Sequence, residues 1–387
     1  MIVDNSLDEL KKRENALTII KHFIFNKNRN ALFDLTGLSG GFIATDQEIN
    51  LLETYIGPAV FEEEIQKYGK IHLCGEKILP VNRTSSGILA TILALVEEDS
   101  NVIHFLPEFP AHPSIIRACN LVNANYFEFD NINKFHILEN TSLIIITGST
   151  MDHKILDENL FKEVISQAKN HNIPVFVDDA SGARLRTTIF NQEKAFDLGA
   201  DLVITSTDKL MNGPRGGLMT GTKDLIDMVK VKANQFGLEA QPPIILAMLN
   251  ALKEYDGEDL INAFSKKEDF IKLLETKFTN FQKTPTGVMI SVEGLYNEVK
   301  RNNTNISVSK KDLSFIYSMI LLKNEGIITI PAVSMPGASA TIRFDLSTND
   351  GKKLDLEVLF NKIINSFNEL LNVVDNEEKC KEIVFNN

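Results

Sequence analysis

Short apolar runs alternate with longer amphipathic stretches through the first two-thirds of the chain. Apolar runs of this length, bounded by Gly, Asp, Ser or Pro, are typical of strands that are buried on both faces. Strands are predicted at residues 102–106, 126–129, 142–147, 175–177, 202–205 and 217–220. Helices are predicted at residues 6–27, 88–98, 111–118 and 158–170 and within the helix-rich stretch 222–280. This alternation predicts an α/β fold with a mostly parallel sheet covered by helices.

The pattern changes near residue 284, and the C-terminal part is predicted to form a smaller α+β domain. Strands are expected at residues 288–292, 327–330 and 338–346, and helices at residues 311–322 and 353–374. About 110 residues is a normal domain size. We therefore expect three parts: an N-terminal arm or cover at 1–45, a large α/β domain at 46–280, and a small α+β domain at 281–387.

Composition narrows the class of protein. The chain has 387 residues and a net charge of −12, which argues against broad binding to a nucleic-acid backbone. Its three widely spaced cysteines fit neither a disulfide framework nor a zinc site. No apolar run reaches the roughly 20 residues that span a membrane, and the N-terminus has no apolar signal core. A cytoplasmic protein is expected.

Polar clusters follow two of the predicted strands. The first cluster, Asp178–Gly182, follows the strand at 175–177. The second cluster, Thr205–Lys209, begins at the last residue of the strand at 202–205. In an open α/β sheet, ligands bind beyond the carboxyl ends of the strands. An acid at one strand end and a lysine at another therefore predict a ligand site at this edge.

Two further stretches contribute candidates. Thr84, Ser85, Ser86 and Gly87 precede a buried helix, and the N–H groups at such a helix start bind phosphate well. The simpler alternative is a Ser/Thr cap of that helix. His112 lies just beyond the end of another predicted strand, although a lone histidine is more often structural.

Together these residues indicate a site for pyridoxal 5′-phosphate (PLP). This cofactor needs a lysine amine, an anion against its pyridinium nitrogen and a cup for its phosphate. Lys209 supplies the amine, Asp178 the anion, and Ser206 with residues 84–87 the cup. His112 is expected to stack on the ring.

Two motifs resemble known PLP enzymes. Residues 178–182 read Asp-Asp-Ala-Ser-Gly, similar to the Asp-Asp-Ala-His-Gly element of fold-type-I PLP enzymes. Residues 208–217 resemble the Asp-Lys-Leu-X-Gly-Gly-Pro-Gln-X-Gly element of bacterial selenocysteine synthase, L-seryl-tRNA(Sec) selenium transferase. Over about residues 80–345 the chain looks most like an archaeal group of PLP proteins related to that synthase. The resemblance implies the fold-type-I architecture, with 46–280 as the PLP-binding domain.

The resemblance also implies roles for single residues. Lys209 is expected to form the Schiff base, Asp178 to meet the pyridine nitrogen, and His112 to stack on the ring. Ser181 stands where the larger family often has a histidine near the cofactor's 3-hydroxyl, so its role is open. Substrate-binding candidates are Arg343, which such enzymes often use to bind a carboxylate, and Arg215, with Arg184 as a further candidate.

The expected function is that of a PLP-dependent transferase or lyase. An amino-acid or aminoacyl substrate would react through the Lys209 aldimine, by β-elimination or β-replacement. Aminotransfer is an alternative, and a non-catalytic PLP- or RNA-binding protein of the same fold is another. A tRNA partner is possible but gains no support from the charge of −12. Fold-type-I sites lie between subunits, so a homodimer or larger homo-oligomer is expected.

Overall fold

The structure is a computed structural model that describes residues 1–38, 40–302, 305–334 and 337–386. Its strands are β1 Phe33–Asp34, β2 Lys77–Val81, β3 Asn101–Phe105, β4 Asn125–Phe129, β5 Thr141–Thr147, β6 Val175–Asp178, β7 Leu202–Ser206, β8 Gly217–Gly221, β9 Phe281–Thr284, β10 Gly287–Ile290, β11 Ile327–Ile328 and β12 Ile342–Asp345. Its helices are α1 Ser6–Lys27, α2 Asp46–Ile49, α3 Ile56–Leu73, α4 Thr84–Leu95, α5 Pro113–Leu121, α6 Glu158–Asn170, α7 Gly182–Arg184, α8 Lys223–Gln235, α9 Pro242–Glu254, α10 Glu258–Glu275, α11 Val292–Arg301, α12 Lys310–Glu325, α13 Ile330–Val333, α14 Asn349–Lys353, α15 Leu356–Val373 and α16 Glu377–Phe385.

The chain divides into two compact units. One consists of Met1–Ser39 with Glu258–Asn387, and the other of Gly40–Gly257. The predicted domain boundaries after residues 45 and 280 stay a prediction. None of the helices in the described part of the chain is both long enough and apolar enough to span a membrane.

A seven-stranded sheet forms the centre of the unit Gly40–Gly257, as far as the structure describes it. Its strand order is β2-β8-β7-β6-β5-β3-β4. β8 runs antiparallel to β2 and β7, and the other neighbours are parallel. This confirms the predicted mostly parallel sheet. Because β2, β3, β5, β6 and β7 share one direction, their carboxyl ends meet at one edge.

Helices cover this sheet on both faces. Side chains of α4, α5 and α8 pack with Val102, Ile145 and Phe176 in one apolar cluster. Side chains of α6 pack with Ile144 and Val175 in another. The strands are buried on both faces as their composition predicts, because successive side chains point to opposite sides. The polar residues that follow the strands therefore concentrate at the edge.

One strand was missed, and several predicted boundaries differ from those in the structure. β2 escaped prediction because Pro80 lies inside it; proline is tolerated there because β2 is an edge strand of the sheet. The strand predicted at 288–292 ends at Ile290 instead. Ser291 caps the next helix by accepting a hydrogen bond from the N–H of Gly294, so α11 begins at Val292.

The other unit combines small sheets with helices. β10 pairs antiparallel with β9 and β12, and β1 pairs parallel with β11. Helix α1 packs within this unit: the Lys12 amine donates to the carbonyl of Ala332 at 3.2 Å, and the Asn15 amide donates to that of Val384 at 2.9 Å. The unit is α+β, as predicted for the C-terminal part of the chain.

Candidate functional site

The predicted cofactor-binding residues lie at or near the carboxyl edge of the larger sheet. Asp178 ends β6 and pairs with Thr147, the last residue of β5. Ser206 ends β7 and pairs with Gly217. Gly217 also pairs with Val81, the last residue of β2. Gly217 therefore lies between the ends of β2 and β7, and α4 follows β2 after Asn82 and Arg83.

Asp178 is a buried carboxylate with unused acceptor capacity. Its side chain is 7% exposed, and its Oδ1 atom has no hydrogen-bond partner among the described residues. Burial, together with the charge of Asp179, raises the pKa of Asp178 to about 6, although the charge of Lys209 opposes the rise. A buried carboxylate oxygen without a partner is costly, so this atom is well suited to accept a hydrogen bond from a bound cation.

Lys209 lies within electrostatic reach of two other candidates. Its charge lowers the pKa of both Asp178 and His112. The backbone after the lysine turns sharply, because Leu210 has a φ of 58°, in the left-handed region that non-glycine residues rarely adopt. Gly213 then passes so close to the main chain of Thr207 that a Cβ atom would clash with its carbonyl oxygen. The lysine thus sits on a tight, strained turn.

The start of α4 has the features of a phosphate cup. The helix begins at Thr84 with Arg83 as its N-cap, and the Arg83 side chain does not cap the N–H groups of the first turn. The alternative of a Ser/Thr cap is therefore wrong. A Cβ atom on Gly87 would clash with Ile204 of β7, and one on Gly217 would lie 2.9 Å from the Arg83 carbonyl oxygen. These glycines let the helix start approach the ends of β7 and β8.

Two predicted hydroxyl groups already have partners. The Ser206 hydroxyl donates to Asp208 Oδ1, and the Ser181 hydroxyl shares a 2.7 Å hydrogen bond with that of Ser149. A serine hydroxyl has only one proton to donate. Ser206 must therefore release Asp208 before it can donate to a phosphate, and the predicted role of Ser181 gains no contact that supports it.

His112 begins a helix and stays neutral near pH 7. It is the N-cap of α5, and its Nδ1 atom accepts a hydrogen bond from the N–H of Ser114 at 3.3 Å. Burial, together with the nearby cations Lys209, Arg117 and Arg83, lowers the pKa of His112 to about 4. A neutral ring of fixed orientation fits the predicted stacking role, which stays a prediction.

Arg184 was a candidate for binding a substrate or a phosphate, and the structure contradicts this. Its side chain is fully buried. Its guanidinium donates to the main-chain carbonyls of Ala180 at 3.1 Å, Ser206, and Lys209 at 2.8 Å. Its donors are thus directed at the protein's own main chain.

The two other predicted arginines differ in exposure. The Arg215 side chain is 48% exposed, and its Nε atom lies 3.3 Å from Asp208 Oδ2. Arg343 lies in the unit that contains the C-terminus and is 2% exposed. Its Nη2 atom donates to the carbonyl of Thr36 at 2.9 Å. Burial raises the pKa of Asp345, and the charge of Arg343 opposes this rise. Substrate binding by Arg215 and Arg343 stays a prediction.

Sequence reasoning missed the ion pair behind the site. Arg186 binds Asp179 through two hydrogen bonds, Nε to Oδ1 at 3.2 Å and Nη2 to Oδ2 at 2.6 Å, and both side chains are at most 1% exposed. Gly148 and Gly182 contact this carboxylate so closely that a Cβ on either would clash with Oδ1. Those glycines, which follow β5 and β6, were the available sequence signal.

The chemistry of the site residues fits PLP. Asp178 offers a carboxylate oxygen without a partner, Lys209 an amine within its electrostatic reach, and α4 a helix start without a side-chain cap. Such groups suit the ring nitrogen, the aldehyde and the phosphate of the cofactor, respectively.

Comparison with known proteins gives two family matches. A model of the UPF0425 C-terminal domain matches residues 277–355. A model of L-seryl-tRNA selenium transferase matches residues 135–310, a range that includes Asp178 and Lys209. The second match supports the predicted relationship to selenocysteine synthase.

Two relatives and one solved structure extend these matches. A UPF0425 pyridoxal phosphate-dependent protein of Methanothermobacter thermautotrophicus is 44% identical over 99% of this chain and 100% of its own length. N-Succinyldiaminopimelate aminotransferase from Mycobacterium tuberculosis superposes with a TM-score of 0.59 and 16% identity over 93% of this chain and 98% of its own. This likeness concerns the fold alone and confirms the fold-type-I architecture. The UPF0425 pyridoxal phosphate-dependent protein of Methanosphaera stadtmanae is 48% identical over 96% of this chain and 97% of its own length, so the chain belongs to the UPF0425 family.

Proposed function

We propose that this chain is a PLP-dependent enzyme that acts on an amino-acid or aminoacyl substrate by β-elimination or β-replacement. The observation that carries the proposal is the buried Oδ1 atom of Asp178, which has no hydrogen-bond partner among the described residues. Lys209 lies within electrostatic reach of that carboxylate. The names of the UPF0425 relatives, pyridoxal phosphate-dependent proteins, agree with the predicted cofactor.

Each residue has a distinct task in this proposal. Asp178 accepts the hydrogen bond of the ring nitrogen and keeps that nitrogen protonated. The N–H groups that begin α4 at Thr84 bind the phosphate. Neutral His112 covers one face of the ring. Lys209 would hold the cofactor covalently until the amine of the substrate takes its place, and the freed lysine amine would then move a proton at the substrate α-carbon.

The bound cofactor supplies electron withdrawal from the α-carbon of an attached amino acid. Removal of the α-proton by Lys209 then allows a leaving group on the β-carbon to depart with its electron pair. Because this reaction needs a leaving group, the substituent on the β-carbon decides whether an amino acid is a substrate. The relationship to L-seryl-tRNA selenium transferase, whose name describes a seryl substrate, supports a β-substituted substrate.

The proposal is tested with a matched pair of amino acids. The purified protein, loaded with PLP, is incubated with β-chloro-L-alanine or with L-alanine, which lacks a leaving group. We expect pyruvate, ammonia and chloride in equal amounts from the first, after uptake of one water, and no pyruvate from the second. Keto acid that forms only when an α-keto acid acceptor is added would show aminotransfer instead.

Asp178→Asn serves as the control variant, because it keeps the shape of the side chain and removes the charge. It should retain bound PLP and lose turnover. A PLP-loaded wild-type protein that releases no product from any β-substituted amino acid or seryl-tRNA would contradict catalysis and indicate a passive binder.

A further inference from the structure

Arg184 is a buried arginine whose donors converge on the loops that carry the site residues. It lies in α7, directly before a π-helical turn at Leu185–Ile189. Its Nε atom donates to the Lys209 carbonyl at 2.8 Å, and its Nη2 atom donates to the carbonyls of Ala180 and Ser206. Ala180 follows β6, and Ser206 ends β7. One guanidinium therefore joins the chain after Asp178 to the turn that bears the lysine.

The Arg184 guanidinium makes two further contacts. Nη2 lies 3.2 Å from the Thr205 hydroxyl oxygen, and Nη1 lies 3.1 Å from Nε2 of His72. Arginine has no acceptor, so Nε2 of His72 must be unprotonated. Burial and the nearby charge of Arg184 lower the pKa of His72 to about 3, which agrees with a neutral ring. His72 thus holds the outer end of the guanidinium.

The arginine guanidinium is planar, carries five N–H donors and can bind carbonyl groups on several loops at once. A lysine ammonium cannot do this. The turn that carries Lys209 and Leu210 needs such support, because the backbone of Leu210 is left-handed, with a φ of 58°. A strained turn persists only where its surroundings hold it in place. The Lys209 carbonyl, which accepts this hydrogen bond from Arg184, directly precedes Leu210 in the chain. The hydrogen bond therefore opposes relaxation of the turn.

We propose that Arg184 is a positioning residue that fixes the main chain of Lys209 relative to Asp178, so that the lysine amine meets the ring and the substrate in one orientation. This inference rests on the function proposed for Lys209. Arg184 touches neither substrate nor cofactor in this account, and it acts through the carbonyl groups of Ala180, Ser206 and Lys209.

Arg186 provides a matched control. It is two residues further along, it is equally buried, and its donors bind the carboxylate of Asp179 together with Gln192 and Glu193. Among the described residues, these hydrogen-bond partners of Arg186 all lie outside the turn that carries Lys209. Arg184→Lys and Arg186→Lys both keep the charge and both remove the planar guanidinium, so general destabilisation should be similar in the two variants.

The first measurement uses cofactor-free protein and hydrogen–deuterium exchange of the amides in residues 205–213. We expect Arg184→Lys to accelerate exchange in this segment at least tenfold relative to wild type, and Arg186→Lys to leave it within about twofold. Equal acceleration by both variants, or none by Arg184→Lys, would overturn the proposal. This result does not depend on whether the protein is an enzyme.

The second measurement uses PLP-loaded protein and a substrate found with β-substituted amino acids. Displacement of reacting groups by about 1 Å is enough to lower turnover by roughly 100-fold. We expect Arg184→Lys to lower kcat by tenfold to 100-fold, to leave KM within about threefold, and to shift the pH profile of the absorbance band of bound PLP. An unchanged pH profile and an unchanged kcat would count against positioning.

A second variant covers the case in which Arg184→Lys does not fold. His72→Phe leaves Arg184 in place and removes one acceptor, so it should accelerate exchange in residues 205–213 in the same direction by a smaller factor. No acceleration would contradict the proposed support. If Lys209 proves not to hold PLP, the proposed function fails, whereas the exchange results still report on the turn.

Discussion

Asp178 and Asp179 are adjacent, and both are buried, yet their surroundings are opposite. Asp179 is 1% exposed and receives two hydrogen bonds from Arg186. Asp178 is 7% exposed, and its Oδ1 atom has no partner among the described residues. The chain therefore satisfies both oxygens of Asp179 with its own arginine, whereas Oδ1 of Asp178 has unused acceptor capacity. In our proposal, Asp179 is thus the structural acid and Asp178 the functional one.

The largest predicted effect on stability belongs to Asp179. Replacement by alanine leaves the Arg186 guanidinium buried without its counter-ion. Breaking a buried pair in this way costs about 3–5 kcal/mol. Urea denaturation of Asp179→Ala should show this loss, and the double variant Asp179→Ala with Arg186→Met should recover part of it. A loss below about 1 kcal/mol in the single variant would mean that the pair is not structural.

Replacement of Asp178, by contrast, should lower activity rather than stability. Asp178→Asn removes the charge that stabilises the protonated ring, and loss of one preorganised electrostatic contact lowers kcat by roughly 10²–10³-fold. The free energy of unfolding of the cofactor-free protein should stay equal or rise, because a poorly satisfied buried charge is removed. Steady-state kinetics measures the change in kcat, and urea denaturation measures the change in the free energy of unfolding. A large loss of stability with a near-normal kcat would instead mean that Asp178 is a structural residue.

The pH dependence of stability sharpens the same contrast. The pKa of Asp178 rises from 3.8 to about 6 in the folded protein, mainly through burial. The folded state thus holds a proton that the unfolded state has released, and stability falls as pH rises from about 4 to about 6. A shift of about two pKa units corresponds to about 3 kcal/mol. Asp178→Asn should remove this part of the slope in cofactor-free protein, and an unchanged slope would assign it to other groups.

The smallest predicted effect concerns Ser206. Its hydroxyl donates to Asp208 and is therefore not a ready donor for a phosphate. Ser206→Ala should weaken PLP binding by no more than about fivefold, since a neutral hydrogen bond contributes about 1 kcal/mol. Titration with PLP, followed by absorbance, measures this. A much larger loss would show that Ser206 releases Asp208 and binds the phosphate directly.

The sequence was sufficient where the signal is local. Strands of apolar residues predict the parallel sheet, and the residues after them predict a site at its edge. Asp178 and Lys209 stand out because each belongs to a polar cluster at the end of a strand. β2 was missed because Pro80 is a poor strand residue away from a sheet edge.

Contacts between distant segments were not predictable in this way. Arg184 looked like a ligand residue, because arginine is the usual partner of carboxylates and phosphates. Its real partners are main-chain carbonyls of Ala180, Ser206 and Lys209, and a carbonyl carries no sequence signal. The pairing of Ser206 with Asp208 was likewise hidden, since spacing alone does not show the direction of a hydroxyl proton.

The most direct test of the account is to trap the cofactor on its lysine. PLP-loaded protein is reduced with borohydride, digested, and its peptides are mapped by mass spectrometry, with Lys209→Ala as the control. We predict one phosphopyridoxyl group on Lys209, loss of the visible absorbance band on reduction, and no label at any lysine of the variant. Label on another lysine, or a Lys209→Ala protein that keeps its reducible absorbance band, would contradict the assignment of Lys209 and with it the site described at this edge of the sheet.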